Sequence, residues 1–216
     1  MGFGNDSDNM LPTTFFKMKG LAKGSTEIYF EGKTKVGDSY EEISSRPSKL
    51  FGHLTEVSVK EFEWENKTHK VAKLVIDSAD DRVILEGGFS SLMINIINTI
   101  AGNADPIDKI ELGVYISKKG YPSVSITINN GTWEDNNWKF DYTKKLKPLI
   151  EETKNKKGEI VSWDKSDLEA FLEKEISSKG FQDKIAGVAP KAEAQAPLKT
   201  VVDMDGPDQE VQDLPF

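Results

Sequence analysis

Lysines and aromatic residues cluster at two places in this sequence, and side chains of these types can bind nucleic acid together. Residues 65–70 and 117–122 each contain two lysines, and the second run adds a tyrosine. Ammonium groups can follow the phosphates of a single strand, while aromatic rings stack on its bases for roughly 1–3 kcal/mol per base. Such binding tolerates any sequence because every base has a flat face. The candidates in and beside the two runs are Lys67, His69, Lys70, Lys73, Tyr115, Lys118, Lys119 and Tyr121.

Two smaller groups add candidates for the same chemistry. Phe62 and Trp64 precede the first run, and Lys17 and Lys19 follow an aromatic pair near the start of the chain, where they could form an arm that clamps a strand. Structural alternatives stay open for all of them. Lysine-rich loops can be solvated turns, Tyr115 could pack under the N-terminal segment, and a tryptophan near a strand end can belong to the core. The N-terminal residues could equally form an added β-strand.

Covalent chemistry has no comparable signal in the chain. His53 and His69 are the only histidines, they are not at a metal-ligand spacing, and cysteine is absent. The sequence has neither a phosphate-binding G-x-x-x-x-G-K-[ST] loop nor a G-x-S-x-G nucleophile motif. Asp80-Asp81 and the carboxylates near it are better explained by turn formation. We therefore expect a protein that is not an enzyme, with no catalytic residue, metal or cofactor.

Negative charge is concentrated near the end of the chain. The formal net charge is −8, and half of it lies in residues 190–216, which contain six acidic and two basic residues. A net negative charge by itself disfavours nucleic acid, because phosphate binding needs a positive surface. The asymmetry between body and tail indicates an acidic interaction tail on a body with locally basic loops.

The tail ends in the sequence Asp213-Leu214-Pro215-Phe216. A pocket with a basic residue at its edge could hold both the ring and the terminal carboxylate of Phe216, which is a known recognition mode. These residues resemble the C-terminal tip of bacterial and phage single-stranded-DNA-binding proteins, which typically ends Asp-Ile-Pro-Phe or Asp-Leu-Pro-Phe. The resemblance covers about the last fourteen residues. It implies that replication, recombination and repair proteins dock on these four residues.

The elements that must position these groups are mostly strands. Apolar and polar residues alternate over most of residues 54–128, and only residues 90–101 have helical spacing, between a possible cap at Ser90 or Ser91 and a possible end at Gly102. Three strands, one helix and two strands is the order of an OB-fold. We therefore expect a mainly β protein with an OB-fold-like five-stranded Greek-key barrel and one helix between strands 3 and 4. Other small barrels, or a ferredoxin-like fold with a missed helix, have the same strand count.

A change of parity in the first barrel strand predicts a distortion. Val57 and Val59 alternate with polar residues, whereas Phe62 and Trp64 do so on the opposite parity. Such a switch within one run indicates a bulge or bend.

Four regions follow from composition. We expect an N-terminal elaboration with a disordered start over 1–50, the barrel over 51–131, a C-terminal extension over 132–185, and a disordered linker with the acidic tail over 186–216. The extension should contain a helix over 166–179, with Ser166 and Glu169 as a capping box, and a partial helix over 144–157. The long N-terminal elaboration and short linker depart from the usual bacterial pattern and favour a bacteriophage version. These departures leave the oligomeric state open.

These observations predict a protein that binds and protects single-stranded DNA without sequence preference and recruits partners through its tip. A strand-annealing or recombination-mediator protein would share the tail and the basic loops, and an adaptor whose barrel binds no nucleic acid is a third possibility. No apolar run approaches the ~20 residues of a membrane span, and the polar N-terminus is not a secretory signal. We therefore expect no membrane partner and a cytoplasmic location in a bacterial cell.

Overall fold

A computed structural model of the chain describes residues 11–22, 24–36, 38–65, 67–131 and 149–185. The side chains of Trp64, Lys67 and Ser162 are not part of this description. Residues 1–10, 132–148 and the predicted linker and acidic tail, with Asp213–Phe216, also lie outside it.

The described residues form a mainly β structure, as the alternation of apolar residues predicts. The strands are β1 (Thr13–Lys19), β2 (Tyr29–Val36), β3 (Ser39–Glu42), β4 (Lys49–Trp64), β5 (Lys67–Asp77), β6 (Arg82–Gly87), β7 (Lys109–Ile116), β8 (Pro122–Ile128), β9 (Glu151–Lys154) and β10 (Ile160–Asp164). The helices are α1 (Ser91–Gly102), α2 (Ser166–Ile176) and α3 (Lys179–Ile185).

Eight of the strands form one mixed sheet in the order β3-β2-β1-β6-β5-β4-β7-β8, and β9 and β10 form a second, two-stranded sheet. The five predicted barrel strands are β4–β8, with α1 between β6 and β7, so the predicted order of elements is confirmed. The predicted closure is not found: in the described part of the chain, β6 does not pair with β8. Instead β6 pairs in parallel with β1, from the pair of Thr13 and Arg82 to the pair of Phe16 and Leu85. The N-terminal residues thus occupy the edge that a closing strand would need.

Strand β4 is shared between two neighbours. Its first residues, Lys49–His53, pair with β7, and His53–Trp64 pair with β5. A register shift lies between Leu54 and Glu56, and Gly52 has a φ of 155°. The distortion therefore occurs earlier in the strand than the parity of Phe62 and Trp64 predicts. From Glu56 onward the register is regular, so Phe62 and Trp64 lie on the face opposite Val57 and Val59.

Gly52 is required where β4 passes close to the end of β5. A Cβ atom on Gly52 would lie 2.6 Å from the carbonyl oxygen of Asp77 and 2.8 Å from Cγ2 of Ile76. We expect Gly52→Ala to lower the free energy of unfolding by roughly 2–3 kcal/mol, through backbone strain and this clash. Urea unfolding measures the change. Gly24→Ala is the control, because Gly24 also has a positive φ (86°) but no atom within 4 Å of the added Cβ. Equal losses in the two variants would contradict the role of the close approach.

One face of the sheet supplies the core. The inward side chains of β4–β8 pack with the apolar face of α1, and β1 and β2 add Phe16, Met18 and Phe30 to the same cluster. Residues of the predicted N-terminal elaboration therefore contribute to the same core as β4–β8. Helices α2 and α3 cover the second half of β4 on this inner side, where the Gln182 side chain donates to the Val57 carbonyl at 3.1 Å.

The helices lie near their predicted positions, but several of the residues predicted to begin or end them are wrong. Ser90 caps α1 by accepting a bond from the Met93 amide at 3.3 Å, as predicted. Gly102 does not close α1, because the C-cap is Asn103 in an extended conformation. The predicted capping box at Ser166 is also wrong. The N-cap of α2 is Lys165, and the Ser166 hydroxyl donates to Asp164 at 2.6 Å instead.

The helix predicted over 166–179 is α2, which ends earlier, at Ile176, and α3 begins at Lys179. The predicted partial helix over 144–157 falls on β9 where it is described. The hairpin turn explains this difference. The Asn155 side chain accepts bonds from the amides of Lys157 and Glu159, and Gly158 has a φ of 82°, which favours glycine. No helix within the described ranges is long and apolar enough to cross a bilayer.

Candidate nucleic-acid interface

The face of the sheet opposite the core, called the outer face below, carries exposed aromatic side chains on β4 and β7. Phe51 is 59% exposed and Tyr115 is 37% exposed. Residues that pair across two strands share a face, and Phe51 of β4 pairs with Glu111 of β7. Tyr115 lies on the same face, four residues beyond Glu111 along β7, which is about 13 Å by strand geometry. Gly113 lies between Glu111 and Tyr115, where the Ser125 hydroxyl fills the space of the missing β-carbon, and Lys49, its partner on β4, forms an ion pair with Glu111 at 2.9 Å. Phe51 and Tyr115 can each offer a ring to a ligand that runs along β7.

The β7–β8 turn places two lysines beside this surface. Gly120, at φ 76°, lets the chain reverse, and the Ser117 amide donates to the Tyr121 carbonyl at 2.9 Å. Lys118 and Lys119 are exposed on the turn, and no carboxylate of the described residues pairs with either one. Their charges are therefore available to a phosphate. Tyr121 is half-buried next to them.

The β4–β5 hairpin carries the other predicted run. Phe62 is 46% exposed and stacks on His69, with ring centroids 5.4 Å apart and planes at 24°. One face of Phe62 is thus occupied by the imidazole, which leaves the other available to a base. Trp64 and Lys67 pair across the end of the hairpin by their backbones. Both belong to the predicted site, but their side chains lie outside the described residues.

Lys70 faces away from the outer face and is held by two carboxylates. Its ammonium lies 2.5 Å from Glu173 of α2 and 3.2 Å from Glu61 of β4. The hydrogen bond to Glu173, followed by that to Glu61, raises the pKa of Lys70. This lysine fastens α2 to the hairpin, and a phosphate would have to displace a carboxylate to reach it.

Lys73 is also engaged within the protein. Its ammonium lies 2.9 Å from Glu56, and its side chain is only 15% exposed. Burial opposes ionisation of Glu56, but hydrogen bonds from Ser58 and Lys73 outweigh it, so the pKa of this carboxyl is lowered. Lys60, next on the outer face of β4, pairs with Glu86 at 2.5 Å. The middle of the outer face is therefore close to neutral.

The predicted N-terminal arm is an added strand. Lys17 and Lys19 lie on β1, inside the large sheet, so the alternative of an added β-strand is the correct one. Lys19 pairs with Glu31 at 3.2 Å. Lys17 is exposed, and within the described part of the chain it has no ion-pair partner.

The two predicted lysine-containing runs lie at opposite ends of β4. The β7–β8 turn follows Ile116, beyond the pair of Lys49 and Gly113 where β4 begins, and the β4–β5 turn follows Trp64 where β4 ends. The structure therefore distributes the predicted residues along one strand instead of gathering them in one pocket. Phe51 was missed because the first strand was expected to begin at Leu54. The alternation of Phe51 with Leu50 and Gly52 was the signal that the strand begins before Leu54.

The carboxylates and histidines have structural partners. Asp77 holds Arg82 in a bidentate pair at 2.8 and 2.9 Å, and the Asp81 amide donates to Ser78 within the turn, as predicted from turn chemistry. Nδ1 of His53 lies 2.6 Å from Oδ1 of Asp108. Across the described ranges, no group of three or more potential ligand side chains is placed to hold a metal ion.

Comparison of the chain with protein-family models, with curated proteins and with solved structures finds no significant match.

Proposed function

We propose that this protein binds single-stranded DNA along the outer face of β4 and β7 and covers it without sequence preference. One observation carries the proposal: exposed aromatic rings follow β4 and β7 from the β7–β8 turn, which carries two lysines without an ion pair among the described residues, to the β4–β5 hairpin, where β5 begins at Lys67. Rings supply stacking that any base can use, and unpaired lysines supply attraction to phosphate. Lys118 and Lys119 are the first phosphate ligands in this proposal, and Phe51, Phe62 and Tyr115 are the stacking residues.

The sheet supports an OB-type body for this function. In that fold a coiled first strand is shared between its neighbours, and the turns after strands 1 and 4 border the bound strand. Here β4 is shared between β5 and β7, Lys118 and Lys119 lie on the turn after the fourth of these strands, and Lys67 begins β5 directly after the turn that follows the first. The open edge beside β6 is filled by β1, so we propose an elaborated, open variant of the barrel.

Recruitment of partners belongs to the Asp213–Phe216 sequence in this proposal. The support is the resemblance of these residues to the tips of single-stranded-DNA-binding proteins, together with the acidic residues that precede them. Replication, recombination and repair proteins with a basic, apolar-lined pocket are the expected partners. The outer face and the tail thus have separate roles.

A titration of labelled oligo-dT at low and high salt tests DNA binding. We expect affinity to fall as salt rises, because each neutralised phosphate releases counterions and contributes about 0.7 to the slope of log K against log salt. Lys118→Ala with Lys119→Ala should lower this slope by roughly one to one and a half. Lys174→Ala with Lys179→Ala removes two exposed lysines from α2 and α3 and should leave it unchanged. If the wild-type chain fails to bind at low salt, the DNA-binding proposal is wrong and the adaptor alternative gains support.

A further inference from the structure

The β9–β10 hairpin exposes three large apolar side chains outside the surface proposed above. Ile160, Val161 and Trp163 are 43%, 60% and 54% exposed, and every residue of β9 is exposed as well. An isolated two-stranded hairpin is only marginally stable in water. Clustered apolar side chains on such an element indicate a surface that binds something.

The hairpin separates these apolar side chains from most of its acids. Trp163 pairs with Glu152 and Ile160 pairs with Lys154, and residues 152 and 154 share a face because they are two positions apart. Glu152 and Lys154 also pair with each other at 3.5 Å. This face therefore carries an aromatic ring, an isoleucine and one neutralised ion pair.

The turn of the hairpin carries two lysines and one glutamate, Glu159, which accepts a bond from the Asn155 side chain at 2.7 Å, whereas the base of the hairpin is acidic. Lys156 and Lys157 are exposed on the turn, and the described residues provide no ion-pair partner for either one. The carboxylates of Glu151 and Asp164 belong to the opposite face at the other end of the hairpin, where the two residues pair. A ligand on the face of Trp163 would meet positive charge toward the turn.

Helix α2 links the β9–β10 hairpin to the β4–β5 hairpin. Helix α2 starts at Ser166, directly after β10, and its Glu173 holds Lys70 of β5 at 2.5 Å. Seven helical residues separate the two positions by about 11 Å. Burial raises the pKa of Glu169, which lies on α2 between these two positions.

We infer that the β9–β10 hairpin is a second contact for single-stranded DNA, with Trp163 stacking on a base and Lys156 and Lys157 contacting phosphates. The inference rests on the proposed function, because it extends the path of the same strand past the Phe62 end of β4. A polyanion fits the combination of two lysines on a turn and an exposed ring. An apolar protein partner would explain the ring and would leave the two lysines without a role.

The test measures binding of a labelled oligo-dT of about 30 nucleotides, longer than the roughly 4–16 that one OB-type site covers. Full-length Trp163→Ala should bind about five- to tenfold more weakly than wild type, which is a loss typical of one stacked base. Trp163→Phe should retain most of the affinity because it keeps a ring. Lys156→Ala with Lys157→Ala should lower the salt slope by roughly one, compared with no change for Lys174→Ala with Lys179→Ala. Circular dichroism of each variant checks the fold.

The outcomes separate the two claims. If the wild-type chain does not bind the oligonucleotide, the proposed function fails. If it binds and Trp163→Ala binds equally well, only the role of the hairpin fails. Unchanged DNA binding together with weaker self-association of Trp163→Ala in sedimentation would assign the surface to a protein contact and overturn the inference. A photocrosslink from iododeoxyuridine in the oligonucleotide to Trp163 would support the stacking contact directly.

Discussion

Replacement of both Phe51 and Tyr115 by alanine is expected to weaken oligo-dT binding on the order of 30-fold or more. Each base stacked on an aromatic ring contributes roughly 1–3 kcal/mol, and about 1.4 kcal/mol changes the dissociation constant tenfold. Phe51 and Tyr115 are 59% and 37% exposed, so their truncation removes little from the core. Fluorescence anisotropy of a labelled oligonucleotide at low salt measures the loss of affinity, and the two single variants show how much each ring contributes to it.

The salt dependence of DNA binding distinguishes a loss of stacking from a loss of charge. Stacking releases no counterions, so the double variant should bind more weakly while its salt slope stays at the wild-type value. Replacement of Lys118 and Lys119 should lower the slope itself. Tyr40→Ala is the matched aromatic control, because Tyr40 is 56% exposed on β3 at the far edge of the sheet. An equal loss of affinity in Tyr40→Ala would show that the outer face of β4 and β7 is not the binding surface.

Local pattern predicted the elements of the sheet but not its connections. Alternation located β5, β7 and β8, because each buries one face, and Ser90 marked the start of α1 correctly. It could not show that β1 would pair with β6, since that contact joins residues far apart in sequence and leaves no periodic trace. The closed barrel was expected from the order of strands and helix alone. The pairing of Phe15 with Ile84 fills the edge that closure requires.

In the candidate site too, local features could be predicted from the sequence and long-range contacts could not. Exposure of Lys118 and Lys119 follows from a short turn containing Gly120, which can be recognised in the sequence. The neutralisation of Lys70 could not be foreseen, because its partner Glu173 lies 103 positions away on a helix whose packing decides the contact. Phe51 was missed for a local reason, since the beginning of β4 was placed too late. Charge counted along a sequence therefore overestimates how many lysines remain available to a phosphate.

Removal of Asp213–Phe216 is expected to abolish capture of replication, recombination and repair proteins and to leave oligo-dT affinity equal or higher. Partner binding should depend on the ring of Phe216, whereas the acids before it can compete with DNA for the lysines of the outer face. That competition should weaken with salt, because exposed charges are screened beyond about 10 Å at 0.1 M. Affinity capture from a bacterial lysate measures partner binding, with a peptide of residues 199–216 as competitor, and anisotropy measures DNA binding.

Two variants of the full chain separate docking from competition. Phe216→Ala keeps every carboxylate, so it should lose the captured proteins while its DNA affinity stays at the wild-type value. Amide replacements at Asp203, Asp205, Asp208 and Glu210 keep the tip and should raise DNA affinity at low salt but not at high salt. If removal of the tip weakened DNA binding, these residues would belong to the DNA site. If Phe216→Ala still captured the same proteins, recruitment would have to reside on the folded part of the chain, where the exposed face of Trp163 is the first surface to test.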